Sequence, residues 1–207
     1  LSGSAGYLII NRPESQNAMT RAMWEAIVPA LEELKNWGAR VIVIKGTGSA
    51  FCAGADLTEL SKIDSEESAG AQWNSIKHAL DELKAFPLPT VAMINGACMG
   101  GGCLLAMACD LRYAVKAARF SIPIARLGIV LDDSNILRLI SLVGPSIASE
   151  MLYTGVSISS TEAEMVGLIN RALDPEDLPL YINEICNAIY ENGQASIFEA
   201  KCSIARV

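Results

Sequence analysis

The sequence predicts an α/β fold built around a largely parallel sheet. Short β-branched runs such as Val41-Ile42-Val43-Ile44 are apolar throughout, as strands buried on both faces must be. Segments with apolar residues at helical spacing alternate with these runs. Glycine-rich turns directly follow two of the strands, and the second turn feeds a helix.

Taken in order, Tyr7 to Asn11 reads as a strand that ends at Arg12-Pro13. Thr20 is placed to cap a helix in which Met23, Ile27, Leu31 and Leu34 recur on one face. Pro29 lies inside that pattern and should kink or split it, and Gly38 closes it. After the strand at Val41 to Ile44, residues 46–57 read as a Gly/Ala/Ser-rich loop. Residues 61–70 read as a polar, mobile Ser/Glu-rich stretch. Trp73 to Phe86 reads as a helix stopped by Pro87 and Pro89, and Val91 to Ile94 as a strand. Gly100-Gly101-Gly102 opens an apolar helix running to Cys109, and Leu111 to Val115 is again a strand. Asp133 is the expected N-cap of a helix from Ser134 to Leu142. Ser159 with Glu162 forms a capping box for a short helix ended by Gly167. Leu168 to Leu173 reads as a last strand and Glu176 to Tyr190 as a helix stopped by Gly193. No internal repeat or inter-domain linker is visible. Residues 141–207 read as a mainly helical region, a small lobe of the same domain as residues 1–140.

The 207 residues suit one domain, and 51% hydrophobic content is ample for a core. No apolar run reaches the roughly 18–20 residues of a membrane-spanning helix, and no leader is visible, so a cytoplasmic location and no membrane partner are expected. A net charge of −7 disfavours nucleic acid as a partner. The six cysteines form no C-x-x-C pair and His78 is the lone histidine, so no metal site is expected. The cysteines read as buried, reduced thiols.

The two glycine-rich turns hold the chemistry. The first is Phe51-Cys52-Ala53-Gly54-Ala55-Asp56-Leu57 and the second Asn95-Gly96-Ala97-Cys98-Met99-Gly100-Gly101-Gly102-Cys103. Small side chains let a ligand approach the backbone, and a helix N-terminus favours negative charge. Two converging backbone N–H groups would make an oxyanion hole; tight turns alone are the alternative.

These turns, with Asn11-Arg12-Pro13-Glu14…Asn17-Ala18-Met19 before them, resemble the crotonase (enoyl-CoA hydratase/isomerase) superfamily. Pro89-Thr90-Val91-Ala92-Met93-Ile94, Cys109-Asp110-Leu111-Arg112, Leu127-Gly128-Ile129, Leu152-Tyr153-Thr154-Gly155 and Gly167-Leu168-Ile169-Asn170 continue the match in order across nearly the whole chain. The resemblance implies a spiral of ββα units with a small helical C-terminal lobe and a homotrimer or hexamer. The substrate is an acyl-CoA, and no cofactor is needed beyond the coenzyme A it carries. It places the oxyanion hole at the N–H groups of Ala55 and Gly101, with Ala53, Gly54, Asp56 and Leu57 along the adenine and pantetheine and Gly100 among the CoA/acyl-binding residues. The family's first residues and final helical segment have no counterpart here, which reads as truncation.

Three places depart from the family. Hydratases carry a glutamate directly after Gly-Gly-Gly-Cys, where this chain has Leu104, and another after the later proline, where Pro123 is followed by Ile124. Hydration needs a base for the water and an acid for the α-carbon, which neither side chain supplies. Leu104, Ile122, Ile124 and Leu131 instead suggest an apolar acyl pocket. The third departure is Asp132-Asp133. In dienoyl-CoA isomerases and aryl-CoA dehalogenases an aspartate matching Asp132 acts as base or nucleophile, so Asp132 is the candidate catalytic carboxylate. Lys77 and His78 read as a solvated helix face, or as a further base. Glu14-Ser15-Gln16 lacks the basic residue many relatives place near the CoA phosphates. The expected function is therefore isomerase-like or other enolate chemistry, with an acyl-CoA-binding pseudoenzyme or a decarboxylase as alternatives.

Overall fold

The computed structural model describes residues 5–62 and 64–204 and, within them, every side chain but that of Glu66. Two sheets are fed in turn by the order strand, strand, helix. One sheet holds β1 (Ala5–Ile10), β2 (Val41–Gly46), β4 (Thr90–Ile94), β6 (Leu111–Val115) and β9 (Arg171–Leu173) in that spatial order, all parallel. The other holds β3 (Ala50–Cys52), β5 (Ala97–Met99), β7 (Arg119–Ser121) and β8 (Ile158–Ser159), with only the last pair antiparallel. Thus β2–β3 leads through α2 (Leu57–Leu60) to α3 (Glu66–Ala85), and β4–β5 leads to α4 (Gly101–Ala108). The unit β6–β7 leads to α5 (Ile124–Leu127) and α6 (Asp133–Thr154). This is the expected α/β class and the expected spiral of ββα units.

The local reasons are legible. Val41 to Ile44 are fully buried, because β1 and β4 flank them and helices cover the sheet. Helix α1 (Arg21–Asn36) is capped by the Thr20 hydroxyl, which accepts from the Met23 N–H, and buries Trp24, Ile27, Leu31 and Leu34. Pro29 does not split it. The ring sits on the exposed side, as does Glu25, whose carbonyl loses its helical partner. Of the polar stretch 61–70, residues 66–70 belong to the start of α3, which opens on a capping box between Ser65 and Ser68; position 63 lies outside the described residues. Strands β3, β5 and β7 were not expected, and the last parallel strand is shorter than Leu168 to Leu173.

Helix α6 runs past the expected Leu142 to Thr154, broken at Gly144 (φ 76°) before Pro145. By length and composition alone this helix could cross a membrane, which corrects the expectation that no segment could. The break, and the packing of Leu139, Val143, Ala148, Met151 and Leu152 into the core, mark it as a helix laid on the fold. Helix α7 (Ser160–Met165) starts at the capping box read from Ser159 and Glu162. Helix α8 (Asp177–Glu191) packs on β6, where Tyr181 meets Tyr113 edge-on at 5.2 Å. Helix α9 (Gln194–Ile204) is tied back by Lys201, which donates to Leu88 O at 2.9 Å and to Asp110 at 2.7 Å.

Candidate active site

The site is assembled where the ends of β3 and β5 meet the start of α4. The segment after β3 is held by Met19, whose N–H donates to Gly54 O (2.8 Å) and whose carbonyl accepts from the Asp56 N–H (3.0 Å). Met19 and Ala55 thereby form an isolated parallel bridge. In such a bridge the paired residue turns its own N–H to the other side. On that side stands Gly101, the first residue of α4. A Cβ on Gly101 would lie 3.6 Å from Ala55 N and 3.2 Å from Trp24 Cζ2; one on Gly54 would lie 3.2 Å from Gly101 N. The Gly101 N–H is an orphan donor of a helix start. Among the described residues neither the Ala55 nor the Gly101 N–H has an acceptor.

This approach tolerates no side chain at two positions. Gly54 adopts φ +104° and its Cβ would meet Met99 O at 2.9 Å. Gly102 packs so closely on β3 that a Cβ would stand 2.2 Å from Cys52 O. Gly100 is the N-cap of α4, and its N–H donates to Ser121 O at 2.8 Å.

Beside Ala55 opens a cleft of ≈ 500 Å³, lined by Ala53, Ala55, Asp56 and Leu57 of the expected set, together with Ser15, Thr20, Arg12 and Lys62. Asp56 caps α2 through the Thr58 N–H (2.9 Å) and pairs with Arg12 at 2.8 Å. The Arg12 guanidinium, helped by backbone N–H groups, holds the Asp56 carboxyl below its usual range. Arg12 and Lys62 were missed as candidate phosphate partners. Arg12 was visible only as a motif residue, and Lys62 sits in a stretch without periodicity. Two cations, Arg12 and Lys62, line this cleft, and Arg12 is already paired with Asp56.

The remaining expected residues lie outside this cleft lining. Leu104 is buried in α4 and Leu131 is buried before α6, while Ile124 is half-buried at the start of α5. The cap of α6 falls on Asp132, where Asp133 was expected, because the helix already begins at Asp133 and Asp132 has the extended backbone of a cap. Both Asp132 oxygens are engaged by Asn135, from its N–H at 3.1 Å and its side-chain amide at 2.7 Å. Asp133 is exposed. Lys77 and His78 are exposed on α3 beside Asp81 and Glu82. Asp81 chiefly, and the more distant Asp132, push the Lys77 pKa up. Burial raises the thiols of Cys52 and Cys109 to about 12, so neither serves as a nucleophile. Among the described residues no cluster could hold a metal ion.

With this geometry in view, the likeness to known proteins is specific. The family model described as enoyl-CoA hydratase/isomerase matches residues 2–206. A short-chain-enoyl-CoA hydratase of Clostridium acetobutylicum is 32% identical over 208 residues, 99% of this chain and 78% of that protein. A 2,3-dehydroadipyl-CoA hydratase of Escherichia coli is 35% identical over 197 residues, 94% of this chain and 75% of that protein. The crystal structure of an enoyl-CoA hydratase/carnithine racemase from Magnetospirillum magneticum superposes with a TM-score of 0.94 at 29% identity, covering 100% of this chain and 78% of that one. The chain belongs to the enoyl-CoA hydratase/isomerase family of the crotonase superfamily.

Proposed function

We propose that this family member binds the thioester carbonyl of an acyl-CoA between the N–H groups of Ala55 and Gly101. We propose further that it directs the resulting enolate character to isomerase-like or other enolate chemistry rather than two-glutamate hydration. The observation that carries this reading is the pair of neighbouring, unpartnered N–H groups at the meeting of two sheet ends and a helix start. As an α- or γ-proton leaves, charge grows on the thioester oxygen. Fixed donors aimed at that oxygen strengthen as it does, and one such donor is typically worth ~10²–10³ in rate. The cleft along Ala53 to Leu57 takes the coenzyme A end, with Arg12 and Lys62 offering charge to its phosphates. No other cofactor is called for.

The proton shuttle falls to Asp132, the carboxylate that follows the apolar Leu131 and that family resemblance puts near the reacting carbons. Its oxygens are oriented by Asn135. That same engagement favours a second reading, in which the chain binds acyl-CoA without turning it over, since Leu104 and Ile124 transfer no protons. Incubation with enoyl-, dienoyl- and malonyl-type CoA esters in D₂O separates the two. Exchange at the α- or γ-carbon that disappears in Asp132→Asn supports the enzyme. Binding without exchange of any ester supports the pseudoenzyme, and no binding of any ester overturns both.

A further inference from the structure

The two candidate donors, Ala55 and Gly101, belong to different elements, so the gap between them is set by whatever touches both. The first turn of α1 does. Its first residue, Arg21, carries an orphan N–H that no helical carbonyl can reach. The Glu59 carboxylate of α2 accepts from that N–H at 2.7 Å. A charged acceptor at a helix N-terminus is a strong, directional partner. The Arg21 side chain is engaged elsewhere, with Glu25 at 2.7 Å, so Glu59 grips the helix backbone itself.

Three residues further along α1 stands Trp24, fully buried. Its Cζ2 lies 3.2 Å from the Cβ position of Gly101, a point that also has Ala55 N and Gly54 Cα at 3.6 Å. Gly101 therefore packs against the indole and the Ala55 segment at once. The turn joining Arg21 to Trp24 is stiff, because the Thr20 carbonyl accepts from the Met23 and Trp24 N–H groups at 3.1 Å each. The Ala55 segment runs beside residues 16–21: the Ala53 N–H donates to Gln16 O at 3.0 Å, and the two Met19 bonds straddle Ala55. Those backbone bonds stop at Asp56. Beyond it, Glu59 makes the only hydrogen bond from α2 to α1 among the described residues, and without it the segment can pivot about Met19.

We infer that Glu59 and Trp24 are positioning residues through which the first turn of α1 sets the gap between the Ala55 and Gly101 N–H groups. Glu59 latches the Ala55 segment to the helix, and Trp24 backs Gly101 from the same helix. The inference rests on the oxyanion reading proposed above and names what holds that site in shape. Two donors polarise one oxygen only while both point at it, and a misplacement of about 1 Å can cost ~10² in rate. Glu59 also lines the cleft, so its charge beside the coenzyme A phosphates is the rival explanation for any effect of replacing it.

Infrared difference spectra of butyryl-CoA, ¹³C-labelled at the thioester carbonyl and bound at saturation, test this in wild type, Glu59→Gln, Glu59→Ala and Trp24→Phe. The wild type is expected to lower the carbonyl stretch below that of the free ester, as two hydrogen bonds to one oxygen do. Glu59→Gln keeps an oxygen that accepts from the Arg21 N–H and should keep the downshift. Glu59→Ala and Trp24→Phe should lose most of it, whereas a loss of stability alone leaves the frequency of the bound ester unmoved. A full downshift in Glu59→Ala or in Trp24→Phe overturns the inference and leaves the oxyanion reading standing. Glu59→Gln as defective as Glu59→Ala also overturns it, and assigns the effect to the charge of Glu59 in the cleft. No binding, or no downshift, in the wild type removes the oxyanion reading and this inference with it. If Trp24→Phe fails to fold, the two Glu59 variants decide.

Discussion

Leu104 and Ile124 decide which chemistry the backbone site can serve. An oxyanion hole built from N–H groups survives any side-chain change, whereas water addition needs two positioned proton carriers. The double variant Leu104→Glu with Ile124→Glu is therefore expected to raise crotonyl-CoA hydration by ~10² or more, followed by loss of the enoyl-thioester absorbance. It should also unfold more easily, because Leu104 is 5% exposed and a carboxylate there is desolvated. Efficient hydration by the wild type, abolished in Asp132→Asn, would show that Asp132 carries that proton transfer. A second residue-scale test concerns Asp56. Its pKa is lowered in the folded chain, so its ionised form is the stabilising one. That contribution is complete above the ordinary carboxylate value of ~4 and is lost as pH falls through the lowered one. The stability gap between wild type and Asp56→Asn, measured by urea titration, should be steady at neutral pH and narrow below about pH 4. A gap as wide at pH 3 as at pH 7 refutes this.

At the scale of elements, what could be read in advance was what carries a local signature. Ser159 and Glu162 announce α7 because two side chains cap two orphan N–H groups three residues apart. Val41 to Ile44 announce a strand buried on both faces. Strands β3, β5 and β7 carry three residues each, too few for an alternation to appear, and lie among small residues that also suit a loop. The start of α3 was hidden because its first turn is polar and its cap is a serine pair. The cap of α6 was misplaced by one because two adjacent aspartates differ only in backbone angles that the sequence does not print. The candidate oxyanion pair could be named only through family resemblance, since the proximity of Ala55 and Gly101 depends on how closely α4 settles on β3. That closeness can be tested at Gly102. In Gly102→Ala the new methyl would stand 2.2 Å from Cys52 O, a backbone atom that cannot yield, so α4 must withdraw and carry the Gly101 N–H from Ala55. A loss of about 1–3 kcal/mol in chemical denaturation is expected, with weakened acyl-CoA binding. Gly70→Ala, at a half-buried position of α3 where nothing lies within 4 Å, should be neutral or stabilising. Equal effects of the two changes would remove the close approach as an explanation.

At the scale of the whole molecule, the ββα spiral left no repeat in the sequence because its units share a path and not a length. The second unit ends in an eight-residue helix, the first in one of twenty residues. The spiral closes its core well, yet an apolar surface remains. Val130 is 93% exposed just before α6, and Leu137 (64%) and Tyr153 (77%) are exposed on the two halves of that helix, either side of the break at Gly144. Single exposed apolar residues are ordinary, but several on one helix and its leading loop are what a subunit contact covers. Family resemblance makes the expected assembly a trimer or a pair of trimers, and closed rotational symmetry would bury the same patch on every copy. A net charge of −7 opposes association, so screening should favour it: the assembled fraction should rise between low and physiological salt. Sedimentation velocity at micromolar protein and physiological salt is expected to give three or six times the protomer mass. Leu137→Asp should shift the distribution toward the protomer, because a charge would be buried unpaired at each contact. A wild type that sediments as a protomer across this range would leave the α6 surface without a subunit to cover it and refute the assembly.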